Sequence, residues 1–356
     1  MIKPRILFTC GREPEYVRNL LLLRALRKWS VVVEVTDHRP GSLLLRNIRL
    51  LPRLARALME PHDLVFVGFY GYVLTVLLRP LTRKPMLLDA FVSNWDTLCF
   101  DRKRFAPYSL PGKLTYSLDR QACLAADHCL LDTETHRRYF VDTFDLPEPR
   151  LSTLYLGYDE ELFYPRPEPA ESGACRVFSY GSFLPLHGME VIVRAAKLLE
   201  NEQDVEFVIL GEGMTHARVQ QFAQDLCVRR LTFLPVVPYA QLPQAIAPAS
   251  ICLGGPFGAT EKASRVIAGK TFQFLAMAKA TIVGDTPANR ELFVHGDDVL
   301  MCGLADAQAL AEAILELKRD AALRTRLAQR GYEHCRDQFS LGKQAERLES
   351  IISGLL

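Results

Sequence analysis

The chain has 356 residues, of which 49% are hydrophobic, 24% charged and 9% aromatic. This composition is typical of globular proteins and excludes disordered, collagen-like and coiled-coil chains. The 43 Lys and Arg against 41 Asp and Glu give a formal charge of +2, which argues against a protein built mainly to coat nucleic acid. At about 150 residues per domain, the length predicts two domains, and two domains make a cleft possible.

Short apolar runs in the first half predict parallel strands that are covered on both faces. These runs are residues 6–10, 31–35, 64–67, 86–88, 128–131 and 153–156. Helical patterns separate them at residues 17–28, 43–59, 72–81, 113–126 and 134–144. Such alternation predicts a doubly wound α/β domain, which we assign to residues 1–165.

The composition changes at residues 163–173, where three prolines stand among acids and small residues, and this change predicts a linker. Alternation then restarts with strand patterns at residues 176–180, 206–210, 231–234, 250–253, 281–283 and 299–302. We assign residues 174–338 to a second α/β domain and residues 339–356 to an amphipathic helix that packs back toward the first. The predicted fold is two Rossmann-like domains facing a cleft.

Nine cysteines are scattered along the chain, mostly in apolar runs, and such buried thiols indicate a reducing cytosol. The N-terminus does not look like an export signal, because only a short apolar run separates Arg5 from Arg12. Residues 64–78 are too short to span a bilayer, and residues 231–260 contain too many prolines. We expect a cytoplasmic protein.

Ligands of open α/β sheets bind beyond the carboxyl ends of the strands, so the strand-to-helix loops matter most. In residues 9–19, Gly11 permits a tight turn, and Arg12 and Arg18 are either surface arginines or contacts for a phosphate or polar acceptor. In residues 179–199, Gly181 and Ser182 precede a helix, which suits a pyrophosphate. His187 in the same loop either adds charge or is structural.

Residues 254–292 are the richest segment, because glycines stand beside Glu261, Lys262, Arg265 and Lys270. This crowding at one sheet edge favours a function over a merely solvated loop. Two short motifs are weak. Gly211 and Gly213 lack the third glycine of a dinucleotide fingerprint, and no strand precedes the Gly-Lys-Thr at residues 269–271, which argues against a phosphate-loop ATPase.

Residues 42–59 combine helically spaced apolar side chains with four arginines, and Pro52 predicts a kink. The arginines are Arg46, Arg49, Arg53 and Arg56. Such a helix either lies on an anionic membrane surface or covers the sheet with its apolar face.

The motifs of the second half resemble those of the donor domain of GT-B glycosyltransferases, specifically the retaining family 4. Counterparts of the family's motifs are residues 180–188, 211–213, 233–239 and 270–283. In the first half, residues 88–102 and 126–140 are similar to acceptor-domain segments of one branch of that family. The resemblance covers essentially the whole chain and is specific for the fold and superfamily, not for the sugar.

The resemblance implies a site in three parts. Donor binding is expected of Gly181, Ser182, His187, Gly211, Val237, Lys270 and Gln273. The catalytic positions are expected to be Lys270, Arg265 and Glu261. For acceptor binding we expect Gly11, Arg12, Asp96, Asp101 and His136, although the last three are also interpretable as helix caps or surface residues.

The chain departs from the family pattern at the donor site. Ser182 and His187 stand where the family usually has Arg and Lys, and Gln273 replaces the second of two glutamates. Arg265 stands where the first glutamate would be, so that acid is either lost or displaced to Glu261. These departures indicate either a sub-branch with its own binding pattern or a chain that has lost catalysis.

The implied function is retaining transfer of a sugar from a nucleotide-diphosphate sugar to a hydroxyl of a glycan or lipid-linked glycan, in cell-surface polysaccharide or glycolipid synthesis. The alternatives are a nucleotide-sugar epimerase and a non-catalytic nucleotide-sugar-binding subunit. The resemblance implies that the departing phosphate oxygen takes the acceptor proton, so we name no general base. We expect no metal or other cofactor, since no His/Cys/Asp set has metal-site spacing. Nucleic acid is not an expected partner.

Overall fold

The computed structural model describes residues 3–166 and 174–356, which form two compact units. Unit 1 comprises Met1–Gly157 and Leu341–Leu356, and unit 2 comprises Tyr158–Ser340. The first domain was predicted to extend to residue 165, but the structure groups residues 158–165 with unit 2. The predicted linker falls partly on residues 167–173, which lie outside the described residues.

Unit 1 contains a six-stranded parallel sheet in the order β2-β1-β3-β4-β5-β6. The strands are β1 (Arg5–Cys10), β2 (Val31–Glu34), β3 (Leu64–Gly68), β4 (Met86–Asp89), β5 (His128–Leu131) and β6 (Leu151–Thr153). The central strands are buried on both faces, which explains why their sequences lack a polar face. Strand β6 ends where the predicted run 153–156 begins.

Five helices of unit 1 connect these strands. They are α1 (Val17–Trp29), α2 (Leu43–Ala57), α3 (Tyr72–Leu78), α4 (Leu110–Ala125) and α5 (Glu134–Phe144). Helices α2 to α5 share one core on one face of the sheet, and α1 contributes to a second core. Ser42, Ser109 and Thr133 cap α2, α4 and α5 with their side-chain oxygens. Helix α2 continues through Pro52, so the proline does not end it.

Unit 2 contains a second six-stranded parallel sheet in the order β12-β11-β10-β7-β8-β9. The strands are β7 (Cys175–Tyr180), β8 (Val205–Leu210), β9 (Leu231–Leu234), β10 (Ile251–Leu253), β11 (Ala280–Gly284) and β12 (Leu300–Cys302). This is the Rossmann strand order, and the order reverses between β7 and β10. The carboxyl ends of these two strands are therefore the expected place for a ligand.

The helices of unit 2 follow the same alternation. They are α6 (Met189–Leu198), α7 (His216–Asp225), α8 (Leu242–Ile246), α9 (Glu261–Arg265), α10 (Gly269–Ala276), α11 (Pro287–Arg290), α12 (Ala307–Arg319) and α13 (Ala321–Phe339). The last helix, α14 (Leu341–Ser353), belongs to unit 1 and packs on α1 through Leu341, Ala345 and Leu348. Within the described ranges, no helix is both long and apolar enough to cross a bilayer.

Candidate functional site

Glycines let the loops after β7 and β10 pack directly on one another at the point where the strand order reverses. Gly188 has a φ of +64°, and a Cβ there would clash with the backbone of Phe257 and Gly258. The Gly258 amide donates to the Leu186 carbonyl at 3.0 Å. The two loops therefore form one continuous floor at the carboxyl edge of the second sheet.

Gly211 and Gly213, which follow β8, serve the same packing. A Cβ at Gly211 would meet the Gly181 carbonyl oxygen, and a Cβ at Gly213 would meet that of Ser182. The structure thus places three of the predicted donor residues, Gly181, Ser182 and Gly211, beside one another. Contact of these residues with a ligand stays a prediction.

Lys270 places a buried ammonium group at this edge. It is the second residue of α10, and its Nζ donates to the Tyr180 carbonyl at 3.0 Å and to Ser179 Oγ at 3.3 Å, both on β7. Burial lowers the pKa of Lys270 to about 7. Because desolvation disfavours the charged form, an anion placed beside Nζ would be strongly stabilising.

Gln273 lies one turn after Lys270 and is only 2% exposed. The Tyr180 hydroxyl donates to its Oε1, and its Nε2 donates to the Tyr239 hydroxyl at 3.3 Å. Sequence reasoning placed Tyr180 and Tyr239 in the relevant segments but gave them no role. Both ends of the amide are therefore engaged, and Gln273 orients two tyrosines at the sheet edge.

His187 lies in the loop that follows β7, beside Gly181. Burial, and secondarily the nearby charge of Lys270, lower its pKa to about 3. Burial therefore disfavours the charged form of His187 in the ligand-free chain, and its role toward a ligand stays a prediction. Its Nδ1 is buried, faces Gly181 and has no hydrogen-bond partner among the described residues, so it offers one polar contact to a ligand.

The remaining predicted residues of unit 2 lie around this edge at different depths. Arg265 is buried, and its Nη1 lies 3.5 Å from Oε2 of Glu261, whose side chain is 85% exposed. Ser182 is exposed and Val237 is half-buried. The structure pairs Arg265 with Glu261 on α9, whereas Lys270 bonds to β7.

In unit 1, Gly11 and Arg12 lie against the loop that follows β3. The Gly11 amide donates to the Phe69 carbonyl at 3.1 Å, and the Arg12 guanidinium lies 5.8 Å from the Tyr70 ring centroid and pairs with Glu13. Burial raises the pKa of Tyr70, and the charges of Arg102 and Arg12 oppose this rise. Arg102 is a cation that sequence reasoning missed, although it begins the run Arg-Lys-Arg at residues 102–104.

The three other predicted acceptor residues are buried. Asp96 and Asp101 begin and end a π-helical turn after β4, and the Asp96 amide donates to Ser93 Oγ at 3.0 Å. His136 in α5 places Nδ1 2.6 Å from Asp132 Oδ1, and its Nε2 is buried without a hydrogen-bond partner in the described part of the chain. Their interpretation as surface residues is therefore wrong, while acceptor binding stays a prediction.

Arg18, which the sequence offered as a contact for phosphate, is engaged elsewhere. Its Nη2 donates to Asp89 Oδ1 at 2.9 Å and its Nη1 to the Leu154 carbonyl at 2.7 Å. Both Arg18 and Asp89 are buried. The buried pair holds α1 to β4, so Arg18 has a structural role.

Asp119 in α4 is a second residue that sequence reasoning missed. It accepts hydrogen bonds from Ser93 Oγ, Asn94 Nδ2 and the Trp95 amide at 2.7 to 2.9 Å. Burial raises its pKa to about 6. The position of an acid on the apolar face of a predicted helix was the signal in the sequence that could have found it. Asp119 holds in place the loop that leads to Asp96.

Solved structures resemble this protein over nearly its whole length. The chain superposes on Alr3699/HepE from Anabaena, solved with UDP and glucose, with a TM-score of 0.77. The sequence identity is 15%, and the superposition covers 99% of this chain and 100% of that one. Sucrose-phosphate synthase from Thermosynechococcus elongatus gives 0.78 at 15% identity over 99% of each chain.

The fold is GT-B. The predicted fold of two Rossmann-like units is confirmed. Residues 190–350 of this GT-B chain match the family model described as glycosyl transferase-like. This match lies in unit 2 and α14, and it includes α10 with Lys270 and Gln273.

Curated relatives match part of the chain, among them the lipopolysaccharide core biosynthesis glycosyltransferase LpsD of Rhizobium meliloti, at 27% identity over 165 residues, 46% of this chain and 45% of that protein. Another is the lipopolysaccharide core biosynthesis mannosyltransferase LpcC of Rhizobium leguminosarum bv. viciae, at 27% identity over 227 residues. The match covers 58% of this chain and 60% of that protein, so the chain spans less than two thirds of the relative's length. In residues 3–166 and 174–356, no group of three or more His, Cys, Asp or Glu is arranged to hold a metal ion.

Proposed function

We propose that the chain is a glycosyltransferase that moves a sugar from a nucleotide-diphosphate sugar to a hydroxyl of a glycan or lipid-linked glycan. The observation that carries this proposal is the buried ammonium group of Lys270 at the switch point of a GT-B fold. The reaction makes a diphosphate leaving group, and a fixed cation in a site of low dielectric stabilises the charge that develops on it.

We propose that the other residues at this sheet edge orient the substrates and do not take part in the chemical step. His187 Nδ1 offers a polar contact beside Gly181, and Tyr180 and Tyr239 present hydroxyl groups held by Gln273. Arg265 and Glu261 form a second charged pair on α9. Acceptor binding is assigned to unit 1, where Arg12 and Arg102 flank Tyr70. Orientation of two substrates accounts for much of the rate that such a site needs.

The relatives narrow the proposed pathway. One curated relative is a mannosyltransferase of lipopolysaccharide core biosynthesis, and a structural neighbour is complexed with UDP and glucose. We therefore place the chain in cell-surface glycan synthesis. From the resemblance of its motifs we further propose that it is a retaining enzyme of family 4 that uses no metal. Residues 42–59 are proposed to contact the anionic inner face of a membrane.

A transfer assay tests the proposal. The purified chain is incubated with radiolabelled mannosyl and glucosyl nucleotides and with truncated lipopolysaccharide core, and labelled acceptor is expected only when donor and acceptor are both present. Retention is read from the anomeric configuration of the product by NMR. Sugar interconversion without acceptor would instead identify an epimerase, and donor binding without turnover would identify a non-catalytic subunit.

The pKa of Lys270 gives a pH prediction. The folded apo protein holds this group about half-protonated near pH 7, whereas a bound diphosphate favours the ammonium form. Binding of a nucleoside diphosphate at pH 8 is therefore expected to take up a proton and to weaken as the pH rises above 7. Calorimetric titration in two buffers of different ionisation enthalpy measures the uptake. The same heat in both buffers would contradict this assignment.

Gln273 gives a second prediction. Gln273→Leu keeps the side-chain volume but removes both hydrogen bonds to the tyrosines, so donor affinity is expected to fall about tenfold. Gln273→Glu is the matched control, because a carboxylate accepts from both hydroxyls and keeps them in place. Donor titrations of the two variants check this. If Gln273→Leu and wild type bind the donor with equal affinity, the two tyrosines are not part of the donor site.

A further inference from the structure

Exposed apolar side chains of unit 1 gather at the carboxyl edge of its sheet. Helices α2 and α4 each lead into the next parallel strand, so both begin at that edge. The first turns of α2 expose Leu44, Leu45 and Ile48, and those of α4 expose Leu110 and Leu114. Leu44 and Leu110 are 70% and 72% exposed, which is unusual for leucine at the start of a packed helix.

The segment before α4 adds aromatic groups and cations to this edge. Phe100 is exposed and Tyr108 is 86% exposed. Lys103, Arg104 and Lys113 are exposed, and none of them forms an ion pair with a described residue. Residues 102–118 contain no acid. The segment therefore offers positive charge together with exposed apolar side chains, of which Phe100 also packs on Trp95 with ring centroids 4.9 Å apart.

The two stretches lie near one another and near the predicted acceptor site. Helix α3 packs against both α2 and α4, which separates the starts of α2 and α4 by about 20 Å at ordinary helix spacing. The charge of Arg102 acts on Tyr70, which places the start of the segment beside the carboxyl end of β3. We call residues 44–48 together with residues 100–114 the edge surface.

The cations of the edge surface differ from those expected from the sequence. Arg49 Nε donates to Asp37 Oδ2 at 2.6 Å, and Arg53 Nη1 donates to the Thr36 carbonyl at 2.8 Å. These two arginines of α2 hold the loop after β2 in place. Residues 103–113 therefore add exposed cations to the edge surface, whereas Arg49 and Arg53 of α2 are engaged within unit 1.

We propose that the edge surface docks on an anionic lipid bilayer. The leucine and aromatic side chains would insert at the boundary between headgroups and acyl chains, where tyrosine is enriched in membrane proteins. The lysine and arginine side chains would bind the lipid phosphates. The docking deepens the proposed function, because it sets the acceptor end of unit 1 at the surface where a lipid-linked glycan lies. Its test does not depend on sugar transfer.

Charge argues against a second copy of the chain as the occupant. A symmetric dimer through the edge surface would bring two sets of Lys103, Arg104 and Lys113 together with no acid from residues 102–118 between them. An anionic bilayer neutralises these cations and covers the leucines at once. A soluble polyanion would neutralise the charge but leave the apolar side chains in water.

Co-sedimentation with vesicles tests the proposal. The vesicles are phosphatidylcholine alone or a three-to-one mixture with phosphatidylglycerol. Wild type is expected to bind the mixture. K103E/R104E/K113E is expected to bind it about 100-fold more weakly, since each cation near such a surface contributes about a fivefold factor. Y108S/L110S/L114S is expected to lose about tenfold.

Matched controls lie at the opposite edge of the same sheet. R83E/K84E reverses exposed cations there, and M59S/L77S/L81S removes three exposed apolar side chains at the amino edge. Both are expected to bind the mixture within twofold of wild type. Far-UV circular dichroism and a nucleotide-dependent thermal shift verify that every variant is folded, which also separates failure of docking from failure of the donor site.

Several results would overturn the proposal. The first is that wild type does not bind the mixed vesicles. The second is that the control variants lose as much binding as the edge variants. The third is that wild type binds soluble heparin but no vesicle. A dimer in sedimentation equilibrium that only Y108S/L110S/L114S dissociates would assign the edge surface to a second copy instead.

Discussion

Lys270→Met is expected to lower the rate of sugar transfer by about 100- to 1,000-fold while the fold stays intact. The substitution removes the buried ammonium group that donates to the Tyr180 carbonyl and leaves a side chain of similar length. Donor affinity should fall as well, because the diphosphate loses its fixed cation. Steady-state kinetics with donor and acceptor varied separately measures both effects.

The fold of this variant can be checked independently. The folded pKa of Lys270, about 7, lies below the ordinary value of 10.5, so the unfolded chain binds more protons between these pH values. Wild-type stability should therefore rise with pH across this window relative to the variant. Denaturant titrations at pH 7 and pH 10 test the sign.

Lys279→Met is the matched control. Lys279 is also buried in unit 2, and its Nζ donates to the Ala247 carbonyl at 2.8 Å, at the opposite edge of the sheet. Its loss should lower the free energy of unfolding by about 1–3 kcal/mol without changing the rate per folded molecule. An equal loss of rate in both variants would contradict a specific role of Lys270.

Asp89→Ala is expected to lower the free energy of unfolding of unit 1 by about 3–5 kcal/mol, because it leaves the buried guanidinium of Arg18 without its carboxylate. Three hydrogen bonds of 2.9 to 3.2 Å join these side chains. The two side chains are 2% and 0% exposed, and this burial raises the pKa of Asp89. Chemical denaturation at pH 7 measures the loss.

Two further variants separate the buried pair from ordinary surface charge. Arg18→Met combined with Asp89→Leu removes both charges and should recover at least half of the lost stability. Arg27→Ala breaks the exposed pair with Glu34 and should cost less than about 1 kcal/mol. If Asp89→Ala costs no more than Arg27→Ala, the pair does not stabilise the unit.

The sequence predicted most of the fold, because parallel strands covered on both faces have a local signature. Helix α5 and strand β9 have the predicted bounds, and the alternation places every strand of both sheets in the correct sequence region. Strand β6 lies two residues earlier than predicted. It is an edge strand of three residues, and so short a strand gives little periodicity from which to locate its ends.

The site was predictable only in part. Topology alone brings Gly181, Gly211 and Lys270 to one edge, because all three follow strands or begin helices of one parallel sheet. Hydrogen bonds between residues far apart in the sequence leave no local signal. Two such contacts, Arg18 with Asp89 and Gln273 with Tyr180, determine what these side chains do in the fold. Burial likewise lowers the pKa of His187, an effect that its position in the loop does not reveal.

The central claim is that unit 2 binds a nucleotide-diphosphate sugar at Lys270, and a thermal-shift screen tests it most directly. Wild type and Lys270→Met are melted with UDP, GDP, ADP, TDP and CMP and their common sugars, with and without Mg²⁺. One nucleotide family should stabilise wild type without metal, by about 2.7 kcal/mol at a hundredfold excess over the dissociation constant, and should not stabilise the variant. No shift with any nucleotide, or an equal shift in both proteins, would contradict the account.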